Sequence, residues 1–88
     1  MNSKQFLLAV ETVNTLSKKP CHDELSDLYG LYKQATLGDN YNTEPSIFNF
    51  KDHVKWQSWE KNKGLNKYKA EVNYISLVNE LIEKYGIK

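Results

Sequence analysis

The chain has 88 residues, 40% apolar and 26% charged, which is one domain's worth of sequence with the make-up of an ordinary globular protein. Twelve lysines against eleven acidic residues leave a net charge of +1, and there is no arginine; bulk attraction to nucleic acid or an anionic membrane is excluded, so any anion site must be local and built from flexible point charges. A single cysteine, Cys21, excludes an internal disulfide, and no apolar run is long enough to span a bilayer, so the expectation is a soluble cytoplasmic chain without stable membrane insertion.

Helix one is expected from an N-cap at Ser3, with Phe6, Ala9, Val10, Val13 and Leu16 at helical spacing, and it is ended by Lys18-Lys19-Pro20. Helix two starts near His22 or Asp23, where Asp23 and Glu24 suit the N-terminal dipole. It carries Leu25, Leu28, Tyr29, Tyr32 and Ala35 on one side and stops at Gly38. Gly30 inside it costs about 1 kcal/mol relative to alanine, and close helix packing is one candidate reason.

The stretch from Asp39 to about Phe50 spells loop, with Tyr41, Ile47, Phe48 and Phe50 expected to tack it onto the bundle. A helix of about fourteen residues is about 21 Å long, whereas about a dozen extended residues reach about 40 Å. The loop is therefore long enough to leave helices two and three parallel. Helix three is expected over Lys51 to Asn62, with Val54, Trp56 and Trp59 as its apolar groups and both tryptophans assigned mainly to the core. Helix four follows an N-cap at Asn66 and shows the clearest stripe, Tyr74, Ile75, Val78, Leu81, Ile82 and Tyr85, before Gly86. Four such stripes in one short chain must bury each other, which gives an all-α bundle.

Tyr29, Tyr32 and Lys33 stand at i, i+3 and i+4, so a ring and an ammonium emerge along one helical face, as suits a phosphorylated nucleotide. The same spacing also suits core tyrosines beside a surface lysine. Lys51 and Lys55, one turn apart, repel each other unless an anion or a carboxylate such as Asp52 or Glu60 lies between them. Tyr74 is either a core tyrosine or a ligand contact. The isolated His22 and His53, the lone cysteine and the lack of a Gly-rich phosphate loop or nucleophile elbow give no catalytic residue, no metal site and no cofactor. Lys61, Lys63, Lys67 and Lys69 cluster around the turn between helices three and four, which raises the alternative of a nucleic-acid- or protein-interaction module without a small ligand. The near-neutral net charge argues against nucleic acid.

The run from Tyr29 to Asp39, the Lys51 to Trp59 block, Lys63-Gly64, and the closing Tyr74-Ile75, Val78, Glu80-Leu81 and Lys84-Tyr85-Gly86-Ile87 resemble the acyl-CoA-binding protein family along nearly the whole chain. The resemblance implies one acyl-CoA-binding domain over residues 1–88, a four-helix bundle of up-down-down-up order, and a monomer that buffers and transports long-chain acyl-CoA without converting it. It also implies that Tyr29, Tyr32, Lys33 and Lys55 surround the adenine and 3′-phosphate, that Lys51 adds charge nearby, and that Tyr74 completes the site. The acyl groove is expected along Ala9, Val13, Leu25 and Leu28. Where many members carry a basic residue late in helix one, this chain has Asn14, so that peripheral phosphate contact is expected to be either missing or supplied by Lys18 or Lys19. The loop Asn42-Thr43-Glu44-Pro45-Ser46 lacks the family's arginine and glycine around its proline.

Overall fold

The computed structural model describes residues 2–88 and forms four α-helices, α1 (Lys4–Thr12), α2 (His22–Leu37), α3 (Phe50–Glu60) and α4 (Lys67–Tyr85). Their ends follow from local chemistry. The Ser3 hydroxyl accepts from Phe6 N and the Asn66 side chain from Lys69 N, each satisfying a free amide of a first turn. At α2 the Glu24 carboxylate accepts from Cys21 N at 2.8 Å. Gly38 and Gly86 end α2 and α4 at φ 83 and 75, a region that L side chains rarely adopt.

The stripe expected for helix one is present, but regular helix ends at Thr12. The Thr12 and Thr15 hydroxyls donate to Leu8 O and Thr12 O, and a 3₁₀ turn over Val13–Thr15 carries the chain onward to buried Leu16. Side chains that compete for backbone carbonyls favour such tightening at a helix end. Helix α3 is shorter than expected from the sequence, because its last residues pass into a turn with Asn62 N donating to Trp59 O and Lys63 N to Glu60 O.

Long-range hydrogen bonds give the helix directions. The start of α2 meets the end of α4, where Glu24 accepts from Lys84 Nζ and the Tyr85 hydroxyl at 2.8 and 2.7 Å. The end of α2 meets the start of α4, where Gln34 Nε2 donates to Leu65 O. These two helices are antiparallel. Helix α1 runs alongside α4 in the same sense: Ser3 N donates to Glu71 Oε2 at one end, and Ser17 N to Gly86 O at the other. Helix α3 follows α2, with Lys51 and Val54 beside Leu25, Gly30 against Ser58, and Trp59 Nε1 donating to Gly38 O. The order is up-down-down-up.

Phe6, Leu16, Leu28, Ala35, Ala70, Tyr74, Val78 and Leu81 form the core between α1, α2 and α4. Helix α3 contributes buried Trp59 on the other side of α2. A Cβ on Gly30 would stand 2.0 Å from Ser58 O, so glycine is what lets the α2 and α3 backbones approach. Trp56 is only half-buried and spends its indole N–H on Asn42 O, so the expected core role holds for Trp59 and not for Trp56.

The expectation that four apolar residues tack the second loop onto the bundle is overturned. Phe48 is 94% exposed, and Tyr41, Ile47 and Phe50 are exposed as well. Polar anchors hold the loop instead. Asp39 Oδ1 accepts from Gln34 Nε2 and Gly64 N, each at 2.8 Å. Buried Asn40 turns its Oδ1 to Asn42 N, and His53 meets Glu44 at 2.8 Å. Such bonds depend on where the backbone groups point, which residue hydrophobicity does not report.

Candidate functional site

Tyr29, Tyr32 and Lys33 leave α2 on adjacent turns of one face, as their spacing dictates. The parallel course of α3 carries Lys55 onto the same tyrosine: Lys33 Nζ lies 6.0 Å and Lys55 Nζ 5.7 Å from the centre of the Tyr29 ring. Lys33 also stands 5.0 Å from the Trp59 ring. Each ammonium is favoured by a ring face, and the pair concentrates positive charge beside one carboxylate, Asp52, which lines the same cavity without forming a salt bridge to either lysine. Among the described residues neither lysine, nor Lys51, forms a salt bridge. Of the two acids that stood as competitors in the sequence, Glu60 pairs with Lys63, whereas Asp52 accepts from Asn49 Nδ2 and stays on the cavity that Lys33 and Lys55 share.

Across α2 a second aromatic group forms. Tyr32 stacks on Phe6 with centroids 6.0 Å apart, Tyr74 meets Phe6 edge-on at 5.1 Å, and the two tyrosines lie 6.4 Å from each other. Tyr74 is 4% exposed, and burial raises its phenol pKa, with the neighbouring Tyr32 adding to the shift. Burial also raises Tyr29, aided by the charge of Asp52. Both remain neutral hydrogen-bonding phenols near neutral pH.

Three cavities adjoin Tyr29, and it is the one residue that lines all three. The largest, about 550 Å³, lies toward α1 and is walled by Val13, Leu25, Leu28, Tyr32 and Tyr74, with Lys18, Lys19 and Lys88 at its polar side. The second, about 350 Å³, runs between α2 and α3 past Leu25, Phe50, Lys51, Val54 and Lys55. The third, about 300 Å³, lies toward the second loop with Lys33, Lys55, Trp56 and Trp59. No aspartate or glutamate side chain lines the first two, while Asp52 lines the third. Apolar walls beside converging ammonium and phenol groups suit a ligand with an anionic, ring-bearing head and an apolar tail.

The structure therefore places Tyr32 and Tyr74 with Val13, Leu25 and Leu28 on the first cavity, Lys51 and Lys55 on the second and Lys33 and Lys55 on the third, and the three meet at Tyr29. Ala9 stands apart. It is buried and faces the opposite cleft, between α1 and α4, with Val78 and Ile82. Phe50, Trp59 and Lys88 border the site without having been singled out for it. Phe50 was counted as a loop tack and Trp59 as core, while nothing in the local pattern around Lys88 marks it. Of the lysines that raised the nucleic-acid alternative, Lys61 pairs with Asp27 and Lys63 with Glu60, so half of that cluster is already neutralised.

A family model described as acyl-CoA-binding protein matches residues 3–78. The acyl-CoA-binding protein of Saccharomyces cerevisiae is 52% identical over 86 residues, covering 98% of this chain and 99% of its own length. Acyl-CoA-binding protein homolog 1 of Caenorhabditis elegans is 49% identical over 78 residues, covering 89% and 91%. The crystal structure of Oryza sativa acyl-CoA-binding protein 2 superposes with a TM-score of 0.88 at 38% identity over 92% of this chain and 88% of that one. The solution structure of the yeast protein gives 0.74 at 50% identity, over 97% and 99%. With helix order, site composition and relatives in agreement over almost its full length, the chain belongs to the acyl-CoA-binding protein family.

Proposed function

We propose that residues 1–88 act as a single domain that binds one long-chain acyl-CoA non-covalently and carries it between the sites where it is made and used. The observation that carries this reading is the meeting of Lys33 and Lys55, from two different helices, on the ring of Tyr29, which lines three cavities. Tyr29, Tyr32, Lys33 and Lys55 hold the adenine and its 3′-phosphate, Lys51 adds positive charge, and Tyr74 closes the site from α4. The acyl chain lies along Val13, Leu25 and Leu28. Phenols and ammonium groups hold and orient; the ester is carried and not converted, and no cofactor is needed.

Each buried methylene contributes about 0.8 kcal/mol, so affinity rises steeply with tail length while the head group sets orientation. Calorimetry with palmitoyl-CoA, free CoA and palmitate tests the assignment. Palmitoyl-CoA is expected to bind at least about a hundredfold more tightly than either fragment. Equal binding of all three, or of none, sinks it.

A further inference from the structure

The third cavity, where Lys33 and Lys55 face the ring of Tyr29, also holds a group that an anionic ligand does not call for. Asp52 is the single acidic side chain among the residues that line it. Its place is set locally. It stands in the first turn of α3, where the helix N-terminus favours a negative charge, and its Oδ2 accepts from Asn49 Nδ2 at 2.9 Å.

Helix stability accounts for an acid at this position, but not for its sharing a cavity with two lysines that it does not pair with. Among the described residues the Asp52 side chain forms no salt bridge and has no hydrogen-bond partner besides Asn49. Its charge is nevertheless felt inside the site, since it adds to the rise that burial imposes on the Tyr29 phenol. Glu44 of the second loop, by contrast, meets His53 at 2.8 Å and does not line the cavity. The charges left there are the ammonium groups of Lys33 and Lys55 and the carboxylate of Asp52.

We propose that Asp52 sets the selectivity of the site for the 3′-phosphate of the ligand, holding it below what Lys33 and Lys55 alone would give, a reading that rests on the function proposed above. A carboxylate and a phosphate in one small cavity repel each other, and both draw on the same two ammonium groups. A ligand without that phosphate escapes most of the repulsion. A carrier must also release its load, and a head group bound against a fixed negative charge leaves sooner.

Asp52→Asn keeps the shape of the side chain and an oxygen for Asn49 Nδ2 while removing the charge. By calorimetry at low salt it is expected to bind palmitoyl-CoA about fourfold more tightly, and 3′-dephospho-palmitoyl-CoA less than about twofold more tightly. The gain shrinks as salt rises. Asp52→Glu retains the charge and, with it, the weaker binding. Stability moves the other way, because the first turn of α3 loses a favourable charge, so the variant melts slightly earlier and yet binds more tightly. An acid with a structural role alone would lose on both counts. Glu83→Gln removes the same charge from α4, away from all three cavities, and leaves affinity unchanged. Unchanged or weaker binding of palmitoyl-CoA by Asp52→Asn, with native helical circular dichroism, overturns the proposal, as does an equal gain with the dephospho ligand or in Glu83→Gln. Failure of the unsubstituted protein to bind palmitoyl-CoA overturns the function itself.

Discussion

Gly30 holds the α2–α3 interface open to the approach of two backbones. The atom a methyl group would meet is a carbonyl oxygen, Ser58 O, which cannot swing aside as a flexible side chain can. Gly30→Ala would raise the intrinsic helicity of α2 but must push α3 away, and overpacking of this kind costs about 1–3 kcal/mol. The variant is expected to unfold at lower urea concentration than the unsubstituted protein, and an unchanged midpoint would show that α3 docks loosely. The sequence displays the anomaly, a glycine inside a helix, but not its cause. That cause lies 28 positions away and comes into being only when the chain folds. Trp56 and Trp59 teach the same lesson: three residues apart on one helix, one fills the interface and the other leans on the loop through Asn42 O.

Among the helices, α2 and α4 were the most legible, because each carries both a long apolar stripe and a terminal glycine, and the ends at Gly38 and Gly86 fall where the sequence puts them. What the stripe does not reveal is the ionic closure of the pair. Lys84 first, then the Tyr85 hydroxyl and Cys21 N, hold the Glu24 carboxyl down at about 2. A carboxylate lowered on folding stabilises the protein fully above its unfolded value near 4.5, and that contribution fades as pH falls from there through about 2. Asp39 is lowered chiefly by Gly64 N–H, and Glu71 is lowered because bonds from Asn2 and Ser3 outweigh its burial, so both act in the same direction. Melting temperature should therefore fall with acidification below about pH 4.5, and less steeply in Glu24→Gln. Parallel pH profiles for the two proteins would show that the α2–α4 closure is without ionic character. The second loop was legible as a loop through its Asn, Thr and Pro residues, while its polar anchoring was not.

In the molecule as a whole, ligand and stability pull on the same side chains. Lys33 and Lys55 come from different helices, crowd one ring and form no salt bridge, and Asp52 on their shared cavity offsets one of the two charges, so in the empty protein a net repulsion remains. Lys33→Ala and Lys55→Ala are expected to leave the unliganded melting temperature unchanged or slightly raised, while each lowers acyl-CoA affinity about tenfold through loss of a charge-assisted bond. A variant that melts early and still binds fully would assign these lysines to the fold instead. Most of the head-group set was legible because five of its six members sit on two helices at spacings that place them on one face of each. Tyr74 needed the resemblance as well, since its stripe reads equally well as core. Lys88, on the border of the first cavity, was not legible at all, because its address is set by a bridge between distant segments, Leu16 with Ile87.

The side-by-side course of α1 and α4 has a temporal consequence. During synthesis, the segments of α1 and α2 emerge first, but Phe6, Leu28 and Ala35 wait for Ala70, Tyr74 and Val78 before they are covered. Loop closure over so much chain must precede the reward, so this bundle should fold more slowly than helical proteins whose successive helices are neighbours. A ribosome-bound chain stopped before α4 would present a greasy, half-built sheath, and α4 is the helix that seals it.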